Sequence, residues 1–305
     1  MCELVALDEK KIDYKENYPL SKLCSFGIGG VARLVVFPKS AKELIFAYKL
    51  FGGKAIILGN GTNILFVSDV LNVPLIVMRH LNEILFDDCY VTVGAGALMT
   101  MLCLKCANLG FSGLENLAGI PGSVGGMVIM NAGAFGTEIC DKLVSVTVIR
   151  GGKVIALPKE KIAFGHRYSS LQKTGDIVID ATFKLDRASK VELFQTMQTN
   201  ILWRESHQPK GRSAGSVFKK ATEPAGLLID KAGLKGKQIG GAIISPMHAN
   251  FIINTGNATA QDVLELIKLA KDIVYEKFGE ILEEEIQIIG DTNETNGRFS
   301  HTLNI

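Results

Sequence analysis

Two glycine-rich stretches are where this chain's backbone could meet a ligand directly. Residues 119–136 read Gly-Ile-Pro-Gly-Ser-Val-Gly-Gly-Met-Val-Ile-Met-Asn-Ala-Gly-Ala-Phe-Gly, and residues 59–63 read Gly-Asn-Gly-Thr-Asn. Glycine is costly to order, so such density is expected where peptide N–H groups must approach an anion with no Cβ in the way. Three segments imitate the opening of a dinucleotide fingerprint, at Gly27, Gly59 and Gly94. That fingerprint needs a strand entering the glycines and a helix leaving them, because the helix N-terminus holds the pyrophosphate. Gly27 and Gly59 lead into strands, and the stretch from Gly94 lacks an acidic residue at the required distance. What remains is a phosphate nest without a helix. Gly59, Asn60, Gly61, Thr62 and Asn63 form one half and residues 122–126 the other, two loops from separate β-rich lobes that clamp one long dinucleotide.

Other residues suggest other chemistry. Gly211-Arg-Ser-Ala-Gly215, followed by Asp230 and His248, has the residue order of a serine hydrolase, but a nucleophile elbow needs an apolar strand leading into it. Glu-Ser-His-Gln-Pro-Lys precedes it instead. Arg204, His207, Lys210, Arg212, Lys219 and Lys220 form the densest positive cluster and suit phosphate groups. The five histidines never pair at metal-ligand spacing, so no metal site is expected. Cys103 and Cys106 have redox spacing but fall on one face of a helix-like segment; the six cysteines suit reduced thiols.

Elements must position these groups. Residues 31–37, 54–58, 64–67, 75–78 and 90–93 read as strands, and Ser40 with Glu43 as a capping box for a helix that Gly52-Gly53 stops. Gly151-Gly152 between β-branched runs predicts a hairpin of 143–149 with 154–157. Strand 177–183 and a helix over 188–204 follow, and the polar stretch 205–216 is the main boundary. Beyond it, 225–232, two short strands, a helix over 260–278 and strand 286–289 make a compact α+β unit, with a polar tail after Asp291. The chain therefore divides into 1–75, 76–205 and 206–305.

With 305 residues, 47 % hydrophobic and 21 % charged, and a net charge of +2, the chain is an ordered globular protein without the basic footprint of a nucleic-acid binder. No apolar run is long enough to span a membrane and the N-terminus is unlike a signal peptide, so a cytoplasmic location is expected. Nothing in the sequence sets an oligomeric state.

The glycine loops, with Asn131-Ala-Gly133, resemble the FAD-binding domain of the vanillyl-alcohol-oxidase type. Adding Arg167-Tyr-Ser169, Ser213 to Lys219, Ala225 to Asp230, His248 to Ile252 and Leu282 to Ile286, the chain is similar to the UDP-N-acetylenolpyruvylglucosamine reductase family, in its shorter subtype. The resemblance implies an α+β fold, with a two-lobed FAD-binding domain and a smaller C-terminal substrate domain. It implies FAD, held without a covalent bond since neither loop carries histidine, and NADPH as hydride donor. The partner is then a small nucleotide sugar, whose enolpyruvyl group becomes a lactyl ether in peptidoglycan precursor synthesis.

By that resemblance Gly59, Asn60, Gly61, Thr62, Asn63, Ile64, Gly119, Gly122, Ser123, Gly126, Asn131 and Gly133 hold the cofactor. Arg204, His207, Lys219, Lys220, His248 and Asn250 meet the substrate. Ser216 is the proton donor, Arg167 the cation on the carboxylate and Glu285 an acid beside it, with Lys219 and Arg167 assisting the serine. Two departures stand out: His207 replaces the family's usual lysine, and Phe218-Lys-Lys-Ala221 replaces Phe-Lys-Asn-Pro. The competing reading on the same scaffold is another FAD-dependent oxidase; a serine hydrolase is the remote one.

Overall fold

The computed structural model describes residues 2–290; the polar tail expected after Asp291 lies outside the described residues. Among the described residues, two five-stranded sheets with smaller two-stranded ladders and a C-terminal unit form the fold. In the first sheet, Val31–Phe37 pairs in parallel with Leu75–Val77, which pairs in parallel with Ile56–Leu58. Helix Ala41–Leu50 crosses between them. Its N-terminus is half of the expected capping box: Glu43 N donates to Ser40 Oγ at 3.2 Å, while the Glu43 carboxylate accepts from Lys39 N at 2.8 Å instead of from Ser40.

One strand has no signal in the apolar pattern. Asp13–Pro19, Asp-Tyr-Lys-Glu-Asn-Tyr-Pro, forms the outer edge of this sheet, antiparallel to Val31–Phe37. Charged side chains on an edge strand discourage pairing with other chains, and they erase the alternation that reveals inner strands.

The second sheet is antiparallel, in the order Lys153–Pro158, Leu143–Arg150, Ile177–Lys184, Tyr90–Gly94, Ile84–Asp87. The predicted hairpin is present. Gly151 and Gly152 take φ of +55° and +74°, as the tight two-residue turn matching strand twist requires. Helix Val124–Met130 packs on this sheet against Ile177–Lys184 and Tyr90–Gly94, and helices Met99–Leu109 and Lys190–His207 pack on each other. A single core, running from Leu34, Leu44 and Ile57 to Val91, Leu102 and Phe183, joins both lobes. Cys103 and Cys106 lie in it: the Cys103 thiol donates to Leu114 O at 3.0 Å, and burial pushes Cys106 up to about 12. Such thiols are inert packing groups.

The C-terminal unit packs helix Ala225–Lys231 and a three-stranded sheet against helix Ala260–Phe278. A reciprocal Thr259–Asp262 capping box starts this last helix, and Val263, Leu266, Ile267, Ala270 and Val274 form its buried stripe. The unit is not closed. Its last strand, Gln287–Ile289, pairs in parallel with Ile64–Phe66 of the first lobe. The break expected at 75 falls at the first residue of strand Leu75–Val77, and the one expected at 205 falls inside helix Lys190–His207. Among the described residues no helix is long and apolar enough to cross a membrane.

Candidate active site

The second glycine loop differs from expectation. Residues 122–126 are not a nest without a helix: Ser123 caps helix Val124–Met130, accepting from Gly126 N at 3.4 Å. Gly125 serves packing, since a Cβ there would stand 2.8 Å from the Ala95 Cβ. In the first loop Gly61, at φ +64°, lies so close to the chain that a Cβ would meet the Leu23 carbonyl oxygen at 1.9 Å. These glycines bring loops together.

Loops 60–63 and 119–126 and the segment 208–216 enclose a cavity of about 440 Å³. A second cavity of about 810 Å³ adjoins it, sharing Ser25, Asn60, Thr62 and Pro121 with the first. The Asn60 amide donates to Pro121 O at 2.5 Å and so bridges the two lobes where the cavities meet. Gly59, Asn60, Gly61, Thr62, Asn63, Gly119, Gly122, Ser123, Gly126 and Gly133 all line one or both. Ile64 and Asn131 do not. The Ile64 side chain is wholly buried in the core of the first sheet. Asn131 is equally buried and donates to Glu138 Oε2 at 2.7 Å and Gly165 O at 3.0 Å.

A third cavity, of about 460 Å³, opens on the C-terminal unit. Arg167, Ser216 and Glu285 line it and the 440 Å³ cavity as well, so these three form the wall between them. Arg167 Nε lies 3.2 Å from Glu285 Oε1, and Arg167 Nη1 donates to Gly133 O at 3.2 Å. Arg167 takes φ +53° in the turn of a small hairpin, a conformation that favours glycine. Asn63 Nδ2 donates to Glu285 O at 3.1 Å, tying the first glycine loop to the acid. Burial raises the Glu285 pKa, and the nearby Arg167, His166 and Lys219 only partly oppose this.

Arg204 reaches the 440 Å³ cavity from helix Lys190–His207. Its buried Nε has no hydrogen-bond partner, and burial with the neighbouring Arg167 charge lowers its pKa. Two guanidiniums against one carboxylate, with an unmet donor, make this cavity a receptor for an anion. Glycine loops from two lobes, an open trough and this donor set fit a dinucleotide such as FAD.

The expected substrate groups separate. Lys220, His248 and Asn250 line the third cavity. Burial, with the nearby Lys235 charge, lowers the His248 pKa, and its Nδ1 accepts from Asn250 N at 3.2 Å. His207 and Lys219 line none of the three cavities. His207 stacks on Trp203 with ring centroids 4.3 Å apart, and Lys219 pairs with Glu283 at 3.4 Å near the surface. Lys235 and His166, not expected among the substrate groups, also line the third cavity. No spacing signal marks them, because separate turns deliver them. The hydrolase order does not assemble: Ser213 faces the 440 Å³ cavity, His248 the other, and Asp230 is paired with Lys235 at 2.7 Å.

The family model of the UDP-N-acetylenolpyruvoylglucosamine reductase C-terminal domain matches residues 207–289, and that of an FAD binding domain matches 32–157. The UDP-N-acetylenolpyruvoylglucosamine reductase of Lactobacillus helveticus is 40 % identical, over 94 % of this chain and 99 % of that protein. This chain belongs to that family. The reductase of Bacillus licheniformis is 39 % identical over 95 % of this chain and 97 % of its own. The crystal structure of the reductase from Thermus caldophilus superimposes with a TM-score of 0.78 at 35 % identity, covering 92 % of this chain and 99 % of that one. Among reductases of this family, the chain thus spans the FAD-binding and C-terminal portions alike.

Proposed function

We propose that this chain reduces the enolpyruvyl group of UDP-N-acetylglucosamine enolpyruvate to the lactyl ether of UDP-N-acetylmuramate. FAD held between the glycine loops 59–63 and 119–126 would supply a hydride for the methylene carbon, with NADPH as its source. Its addition leaves carbanion character beside the substrate carboxylate, so the protein must stabilise an enolate and give one proton to the adjacent carbon. Ser216 gives that proton. Arg167 stands against the carboxylate, and Glu285, held by Arg167, by Asn63 and by its own backbone, is the acid that restores the serine. Glu285 suits this task because burial favours its protonated form. Arg204 meets an anionic group within the cofactor-side cavity, and Lys220 one within the C-terminal cavity.

The observation that carries this reading is the shared wall: Ser216, Arg167 and Glu285 face both cavities, so reacting groups held on either side meet there. The cavities around the glycine loops are lined without histidine, which supports a dissociable flavin rather than a covalently tethered one. Free thiols at Cys24, Cys89, Cys103, Cys106 and Cys140 suit the cytoplasm. The purified protein is expected to be yellow and to lose its colour on denaturation and filtration. Under anaerobic conditions NADPH should bleach it and the enolpyruvyl nucleotide should restore the colour. A colourless protein, or flavin that stays with the denatured chain, would overturn this reading.

A further inference from the structure

The strand segment that carries Ser216 is laddered on one edge to the segment that carries Glu285. Glu285 N donates to Val217 O at 2.7 Å and Lys219 N to Glu283 O at 2.9 Å. On the other edge Ser216 lies opposite Phe251, and Val217 N donates to Asn250 O at 2.8 Å. The neighbouring chain then turns away, as Phe251 N bonds back to His248 O at 3.0 Å. Phe218 would lose its partners there. The Asn250 side chain takes their place: its Oδ1 accepts from Phe218 N at 2.9 Å and its Nδ2 donates to Phe218 O at 2.9 Å. Asn250 is only 7 % exposed, so neither peptide group has ready recourse to water without that amide.

We infer that Asn250, which the sequence reading places on the substrate, is instead a positioning residue for proton transfer. Its amide is committed to Phe218, and it fixes the backbone that sets Ser216 against Glu285. The inference rests on the reading of Ser216 as proton donor. The titratable groups around this segment are His248, whose ring accepts from Asn250 N, and Glu283, Glu284 and Glu285 on the opposite edge, with Lys219 and Lys271 on the first two.

Asn250→Asp keeps the size of the side chain and the acceptor for Phe218 N, but as a carboxylate it opposes Phe218 O; protonated, it donates again. In anaerobic stopped-flow, bleaching by NADPH should stay within about twofold of wild type, while return of colour with the enolpyruvyl nucleotide slows by at least about tenfold, the scale of a small misplacement of reacting groups. The deficit relative to wild type at the same pH should shrink as pH falls, and the KM for the nucleotide should hardly change. A raised KM with an unchanged maximal rate of colour return would mean that Asn250 touches substrate. Equal loss of both steps, loss of flavin, or no recovery at low pH would make its role structural alone. Each result overturns the proposal. Ser216→Ala, run in parallel, separates the two failures: if colour return survives in that variant, the reading of Ser216 itself is what falls.

Discussion

The two cavities that meet at Ser216, Arg167 and Glu285 are built from different materials. The cofactor side is made largely of backbone: Gly61 packs against the chain at Leu23, Gly125 against Ala95, and the Asn60 amide on the Pro121 carbonyl joins loops 59–63 and 119–126. The C-terminal side is made of side chains, with His166, Lys220, Asp230, Lys235 and His248 converging from separate segments. Backbone-lined surfaces recognise phosphates and ring edges through peptide N–H groups, whereas side-chain-lined surfaces set charge at particular points. Damage on the wall, on the C-terminal side and in the backbone should therefore have different signatures.

The largest effect is expected on the wall. Ser216→Ala should lower steady-state turnover by roughly 10²- to 10⁴-fold, the usual contribution of a positioned general acid, with flavin content unchanged by absorbance. If turnover stays near wild type, Ser216 is not the donor. Arg167→Lys retains the charge but loses the fork that meets Glu285 and the Gly133 carbonyl; a loss of about 10²-fold in kcat is expected, with NADPH bleaching intact. On the C-terminal side alone, Lys220→Ala should raise the KM for the nucleotide sugar by about tenfold and leave kcat nearly unchanged, the scale of one charge-assisted hydrogen bond. A fall in kcat instead would erase the distinction between wall and C-terminal cavity.

Stability offers a smaller contrast. Because burial raises the folded-state pKa of Glu285 above its ordinary 4.5, the folded protein binds its proton more tightly than the unfolded chain. That contribution is fully present below the ordinary value and is lost as pH rises through the raised one. Thermal melts of Glu285→Gln should lack this decline relative to wild type; identical slopes would contradict a buried, proton-favouring site. The smallest effect is at the turn. Both Arg167→Gly and Arg167→Ala delete the guanidinium, but at φ +53° the glycine variant should be more stable by about 1 kcal/mol in denaturant titrations.

How much could be read in the chain follows from the same contrast. The Gly151-Gly152 hairpin and the helix over 260–278 are local in sequence, and the structure contains both there, the helix started by a Thr259–Asp262 box not among the expected caps. The edge strand Asp13–Pro19 was invisible because its polar residues carry no apolar period, although its partner Val31–Phe37 follows closely in the chain. Loop 119–126 announced a close approach of backbone, but composition could not separate glycines facing a ligand from Gly125, which packs on Ala95. The wall was the least legible by residue pattern. Glu283, Glu284 and Glu285 differ in their partners, Lys219, Lys271 and Arg167, and in burial, none of which the run of three identical residues reveals. Resemblance picked out Glu285; chemistry explains it once Arg167 and Asn63 are seen to hold it.

The shared wall is tested most directly by anaerobic double mixing of Ser216→Ala, first with NADPH and then with the enolpyruvyl nucleotide, following flavin absorbance. Bleaching at the wild-type rate with suppressed return of colour is expected of a residue that serves only the substrate-reducing step. Equal slowing of both steps, or undiminished return of colour, would contradict it.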